Sequence, residues 1–384
     1  MLDKRNLSNK HNNPTNSRSP NDLNKRFLEN YNDETFFDLI GFGKLIYHPE
    51  KVLDTINETK AFPMLATLSL TNFCNHGCLW CSTAYWREDD AKKIDEIKLL
   101  KWLEKAKDKG LKAVGYVGNG EPLAHKTFRN LTNKIANLGL QQGIFTNGYL
   151  IDRYKEELLN NFTYLRISLD AGTKEVHSKL HAVPENHFEK IMANLKDFSI
   201  SRKNKKPTIG VQFVLSQANI HDVENSILKS IENGADYFNL KPMWNRGTVN
   251  DKIEKNNLTY DDFQRVYEKI QKYKSKDFKV FFRPQQIISE ENDQNMLKYD
   301  KCYAGYYGVN IYEDGKVIAC GPHHTPVGDL DTSMEEIEKN IIELTKKLDL
   351  VKCPSGCRYH PMNFLLHKIK NKDEYSEVDH INFL

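Results

Sequence analysis

From residue 64 onward, short apolar runs alternate along the chain with longer stretches whose apolar residues recur at helical spacing. The runs 64–70, 113–117, 142–146, 164–169, 208–215 and 237–241 predict strands. The stretches 97–107, 127–136, 187–198 and 223–232 between them predict helices. Strands that alternate with helices in this way build parallel βαβ units. Six such strands without a nucleotide-binding glycine fingerprint predict an α/β fold, a partial (β/α)6 TIM barrel over 61–245. In such barrels the chemistry sits at the C-terminal ends of the strands.

The flanks read differently. Residues 27–60 predict short helical pieces, including Phe36-Phe37-Asp38-Leu39-Ile40 and Pro49-Glu50-Lys51-Val52-Leu53. Residues 246–300 read as a connector holding one helix at 260–274. Over 301–365 a smaller module is expected. It has a strand at 308–312, a turn at Glu313-Asp314-Gly315-Lys316, a second strand at 317–319 and a helix at 333–348. Asp-Gly between apolar runs is a strong hairpin signal. A C-terminal tail, 366–384, follows.

Charge adds one asymmetry. The net charge of +3 conceals a basic segment, 1–26, that carries Lys4, Arg5, Lys10, Arg18, Lys25 and Arg26 against only Asp3 and Asp22. This segment is rich in Asn, Ser and Lys and poor in apolar residues, so it is expected to be disordered. The remainder is slightly acidic and lacks the broad basic surface that phosphate backbones require, which argues against nucleic acid as substrate. No secretory h-region and no run of about 18 apolar residues is present. The expected setting is a reducing cytosol, away from membranes.

The seven cysteines fall into two groups. Cys74, Cys78 and Cys81 stand in the run Cys74-Asn75-His76-Gly77-Cys78-Leu79-Trp80-Cys81, directly after the first predicted strand. Three thiolates so close together suit a metal cluster better than a core. A four-iron cubane normally takes four thiolates, so three leave one iron open to a ligand that is not protein. A zinc site, with His76 as the fourth ligand, is the rival reading.

This Cys-x3-Cys-x2-Cys spacing resembles the signature of the radical S-adenosylmethionine (radical SAM) superfamily. The resemblance implies a [4Fe–4S] cluster whose open iron is chelated by S-adenosyl-L-methionine (SAM), cleaved on reduction to a 5′-deoxyadenosyl radical. It also implies an external one-electron reductant such as flavodoxin or ferredoxin. Val117-Gly118-Asn119-Gly120-Glu121-Pro122-Leu123, at the end of the second strand, resembles the superfamily's Gly-Gly-Glu-Pro motif. Asn119 stands where the first glycine is usual, and Glu121 is expected to meet the SAM ammonium group. By the same resemblance Asn147 and Ser168, at the ends of the third and fourth strands, with Asp170 nearby, approach SAM. Thr208 to Gln212 and Trp80 are expected beside its adenine. Lys241, Trp244 and Arg246, following the sixth strand, are candidate substrate contacts, with a solvated loop as the plain alternative.

Cys302, Cys320, Cys353 and Cys357 form the second group, and the hairpin should bring Cys302 and Cys320 together. The arrangement resembles the twitch module, a shortened relative of the SPASM domain, which carries one auxiliary [4Fe–4S] cluster. A four-cysteine zinc ribbon competes with it. If three cysteines serve the first cluster and four the second, no free thiol remains to quench a substrate radical. That count favours net two-electron oxidation over epimerisation. The expected substrate is a small carbohydrate-like or aminocyclitol-like metabolite. A ribosomal peptide ranks second, because no peptide-binding winged helix is evident ahead of the barrel. From another functional class, the chain could be a zinc-stabilised binding protein.

Overall fold

The computed structural model describes residues 42–81, 83, 92–243, 257–282, 299–353 and 357–371. Contacts divide the chain into two units, Met1–Lys44 and Leu45–Leu384, and the sheet, the helices detailed below and all seven cysteines belong to the second. Strands β1 (Leu65–Leu68), β2 (Ala113–Tyr116), β3 (Gln141–Thr146), β4 (Phe162–Ser168), β5 (Thr208–Leu215) and β6 (Tyr237–Pro242) match the six predicted runs. Each pairs in parallel with the next. The sheet then continues to a further parallel strand, β7 (Lys279–Phe282), within the stretch read as a connector.

On its other side, β1 pairs in parallel with β8 (Gly308–Ile311) through Leu65↔Gly308 and Leu68↔Ile311. Antiparallel β9 (Lys316–Cys320) and β10 (Thr325–Asp329) complete one sheet in the order β10-β9-β8-β1-β2-β3-β4-β5-β6-β7. The predicted hairpin therefore exists, but it extends the main sheet instead of standing apart. Hairpin propensity is local, whereas the partner of β8 is more than 200 residues away in sequence, and no local pattern encodes that pairing.

Alternation along the strands gives the sheet two faces. Ala66, Leu68, Val114, Tyr116, Ile144, Leu165, Ile167, Val211, Phe213 and Leu240 are buried to 1% exposure or less and point one way. Helices cover that face. Helix α1 (Pro49–Ile56) precedes β1, and the later helices are α2 (Glu96–Asp108), α3 (Phe128–Asn137), α4 (Lys155–Asn161), α5 (Lys174–His181), α6 (Asn186–Ser201), α7 (Val223–Glu232) and α8 (Tyr260–Gln271). Asp95 caps α2 by accepting from the Ile97 and Lys98 amides. Tyr116 packs 5.6 Å from Phe128 on α3 and 5.5 Å from Phe162 on β4. Burial of aromatic side chains of this size contributes roughly 1.5–3 kcal/mol each.

At the C-terminal side, α9 (Ala304–Tyr307) precedes β8, and α10 (Met334–Lys347) begins where Ser333 accepts from the Glu336 amide. Helix α11 (His360–Lys370) carries ordered structure into the expected C-terminal tail. The sequence pattern missed α4 and α5 because each spans barely two turns, too short for a clear period. The segment 36–40 and the basic run 1–26 lie outside the described residues.

Candidate metal and cofactor site

The cysteine loop leaves β1 and crosses the C-terminal ends of the next strands. Two backbone bonds pin it to the end of α5: the Gly77 amide donates to the His181 carbonyl at 2.9 Å, and Leu79 to Leu180 at 2.9 Å. Gly77 lies against Ala182, and Gly120 lies so close to the carbonyls of Thr71 and Phe73 that any Cβ there would overlap them. The glycine of the second-strand motif is therefore needed to let the two loops touch. The Glu121 amide also donates to Phe73 O, at 2.8 Å.

Glu121 is 3% exposed and holds three hydrogen bonds. Its carboxylate accepts from Thr146 Oγ1 at 2.7 Å, Leu123 N at 3.1 Å and Asn147 N at 2.8 Å. Burial raises its pKa, and these three donors oppose the rise. In the structure, then, this carboxylate ties the ends of β2 and β3 together. Asn147 passes the connection on, since its Nδ2 donates to Asn75 Oδ1 in the cysteine loop at 2.8 Å.

Asn119 makes a different link. Its Nδ2 donates to both carboxylate oxygens of Glu313, at 3.0 and 3.1 Å, and Ser69 Oγ donates to the same group at 2.8 Å. Glu313 belongs to the β8–β9 turn, so the hairpin reaches back to the motif loop. Ser168 closes β4 in register with Gln212. Asp170 follows with a left-handed backbone, φ +56°, and accepts from Val214 N at 2.7 Å. Trp80 is half-buried within the loop, and Lys241 is half-buried on β6. Trp244 and Arg246 lie outside the described residues.

Histidines that the sequence reading passed over crowd this loop. His181 Nδ1 lies 3.3 Å from Cys78 Sγ and 3.2 Å from His76 Nδ1, while its Nε2 faces Asp170 Oδ2 at 3.5 Å. His187 Nδ1 lies 3.4 Å from His76 Nε2, and His177 stacks on His181 at 4.2 Å. Burial lowers the His181 pKa, but the charge of the Cys78 thiolate and the bond to Asp170 outweigh it and push the group up to about 10. His177, buried among these rings, falls to about 2. The i, i+4 spacing of His177 and His181 on one helix was the available signal.

The second group also converges. Cys302, Cys320, Cys353 and Cys357 line one cavity with Tyr299, His323 and His360. Asn363 Nδ2 donates to Cys302 Sγ at 3.2 Å, and His323 Nε2 lies 3.3 Å from Cys353 Sγ. Burial pushes all four thiols up, aided at Cys353 by its neighbouring cysteines. Cys353 rises to about 12 and Cys357 to about 11.

Donor spacing bears on which metal these thiols fit. Zinc bonds of about 2.3 Å place tetrahedral sulfurs roughly 3.8 Å apart. Among the described residues, the metal-competent group whose donor atoms all lie within 4.8 Å of one another is His76, Cys78 and His181, and no trio of cysteines joins it. That group includes His76, the fourth ligand of the rival zinc reading of the first loop. No helix among the described residues is long and apolar enough to cross a membrane.

Residues 68–229 match the family model of the Radical SAM superfamily, and this stretch is a radical SAM domain. The chain is 23% identical over 297 residues to the sporulation killing factor maturation protein SkfB of Bacillus subtilis, covering 76% of this chain and 68% of that protein. It is 22% identical over 296 residues to the probable GTP 3′,8-cyclase of Sulfurisphaera tokodaii, covering 74% and 88%. The crystal structure of Streptococcus suis SuiB bound to S-adenosylmethionine shares the fold, with a TM-score of 0.63, 18% identity and coverage of 89% of this chain and 84% of SuiB.

Proposed function

We propose that this chain is a radical SAM enzyme that modifies a peptide. The observation that carries the reading is the Cys74/Cys78/Cys81 loop, held across the ends of parallel strands within a radical SAM domain. That family implies a [4Fe–4S] cluster and SAM. Cys74, Cys78 and Cys81 would hold the cluster, and Asn147, Ser168 and Asp170 border the place left for SAM. When bound, the cluster and SAM supply a carbon radical that abstracts hydrogen from substrate.

The chain's own residues do the positioning. Gly120 lets the motif loop close on the cysteine loop, Glu121 joins β2 to β3, and Asn147 extends that brace to Asn75. His181 directs a nitrogen at Cys78 Sγ. Glu313 couples this region to the hairpin that ends in Cys320. Cys302, Cys320, Cys353 and Cys357 are assigned to an auxiliary cluster, which would accept an electron during oxidation of the substrate.

The expectation of a carbohydrate-like or aminocyclitol-like substrate gives way to a peptide. It rested on the lack of a recognisable peptide-binding segment, and an absence is weak evidence. SkfB is by name a maturation protein, and SuiB has been crystallised with its precursor peptide SuiA. The similarity to a GTP 3′,8-cyclase keeps a small-molecule substrate as the second reading.

The test is 5′-deoxyadenosine release by anaerobically reconstituted protein supplied with dithionite and SAM. Short peptides encoded beside the gene should stimulate release and gain a mass change in step with it. Stimulation by sugars or nucleotides, with those peptides inert, would overturn the peptide assignment.

A further inference from the structure

The face of the sheet opposite the helices is unusually polar for parallel strands, which normally bury both faces. It carries Arg166 and Ser168 on β4, Gln212 on β5, and Asn239 and Lys241 on β6. In register, Arg166 pairs across to Gly210 and Tyr237, and Ser168 to Gln212 and Asn239. Two tyrosine rings floor this region. Tyr164 lies over Gly143 and Tyr237 over Gly210, so closely that a Cβ on either glycine would overlap the ring.

Arg166 stands between them at 7% exposure. Its Nε donates to Tyr237 Oη at 2.9 Å, and its guanidinium lies 4.7 Å from the Phe145 ring centre and 5.4 Å from that of Tyr237. Among the described residues no carboxylate forms an ion pair with it. Burial of a cation without a counter-charge is costly, and a bidentate fork of this kind matches a carboxylate. Asn239 is fully buried, and one polar atom of its amide has no partner among the described residues.

We propose that Arg166 forms a carboxylate-binding subsite that anchors an aspartate or glutamate side chain of the peptide substrate on the polar face. The unpartnered Oδ1 of Asn239 is placed to accept from the backbone amide of the same residue. The inference rests on the peptide reading above and names a feature its substrate must carry. SAM brings a carboxylate of its own, so the experiment separates the two sources.

Isothermal titration calorimetry on anaerobically reconstituted holoenzyme saturated with SAM would use N-acetyl-glutamate methylamide and its glutamine counterpart as probes. The glutamate probe should bind and the glutamine probe should not. Arg166→Met should weaken the glutamate probe at least tenfold, Arg166→Lys should restore part of the loss, and SAM affinity should change less than twofold. Equal binding of both probes, or no binding of either, overturns the proposal. So does a tenfold loss of SAM affinity in Arg166→Met, which would assign the arginine to the methionine carboxylate. Partial recovery in Arg166→Lys guards against misfolding as the cause. The two readings fail separately: wild-type protein that cleaves SAM but ignores the probe loses only the subsite, whereas protein that never cleaves SAM loses the enzyme assignment.

Discussion

Cys74, Cys78 and Cys81 share one short loop, whereas Cys302, Cys320, Cys353 and Cys357 come from the approach to α9, the end of β9 and the segment before α11. The first group is ringed by His76, His177, His181 and His187. The second is lined by Tyr299, Tyr359, His323 and His360 around a cavity. In the first, local sequence alone delivers the ligands, and tertiary contacts from α5 only fix the loop. In the second, the ligands do not meet until β8 pairs with β1 and α10 and α11 pack. On the function proposed above, three ligands and four would support different chemistry, since an open iron can take up a small molecule and a fully ligated cluster passes electrons.

The sharpest break in this comparison is removal of either group. Replacement of Cys74, Cys78 and Cys81 by Ala should abolish reductive SAM cleavage and lower iron from about eight to about four per chain. Replacement of the other four cysteines should leave SAM cleavage but stop product formation. Iron and zinc analysis checks both, and four irons with one zinc in the wild type would make the second site a ribbon.

Next in size is the brace beneath the first site. Glu121→Gln sets an amide NH2 against donors that now meet oxygen, and the lost charge-assisted bonds should cost about 1–3 kcal/mol in denaturant unfolding. A change confined to SAM affinity, with stability intact, would instead make Glu121 a direct ligand of the SAM ammonium group.

A subtler contrast lies in the hydrogen bonds to sulfur. His181→Phe removes the nitrogen beside Cys78, and Asn363→Leu removes the donor to Cys302. Donors to cluster sulfurs raise the reduction potential, so each variant should shift one cluster to lower potential and leave the other unchanged. Spectroelectrochemical titration followed by EPR would read this, and equal shifts of both clusters would contradict two separate sites.

The smallest effect concerns the tie between α1 and the second site. Glu58 accepts from Lys301 and Lys370, next to Cys302. Partial burial would raise its pKa, but the two ammonium groups prevail and hold it at about 2. The folded value lies below the ordinary one, so the stabilisation is complete above about pH 4.5 and fades as pH falls toward 2. Glu58→Gln should cost about 1 kcal/mol at neutral pH, and the difference from wild type should shrink over that acid range.

Legibility followed the range of the interactions. The six strands were readable because fully buried strand faces leave continuous apolar runs, and the hairpin because Asp314-Gly315 admits the φ of +83° its turn adopts. Lys279–Phe282 escaped notice, being only four residues long and without clear alternation. His181 escaped because nothing in its own helix announces a thiol across the fold. Glu313 read as an ordinary turn residue, yet its carboxylate is buried against Asn119 and Ser69.

By itself the sequence determined the candidate ligands: seven cysteines in a group of three and a group of four, the first at the end of the first strand. Those facts depend on composition and on spacing over a few residues. Tertiary structure alone decided that four scattered cysteines share a cavity, that a histidine and an asparagine reach their sulfurs, and that Arg166 meets Tyr237 two strands away. Such contacts join residues tens to hundreds of positions apart. Their partners are chosen by the closing of the sheet and the packing of helices on it, an energy spread over the whole core that no short window of sequence contains.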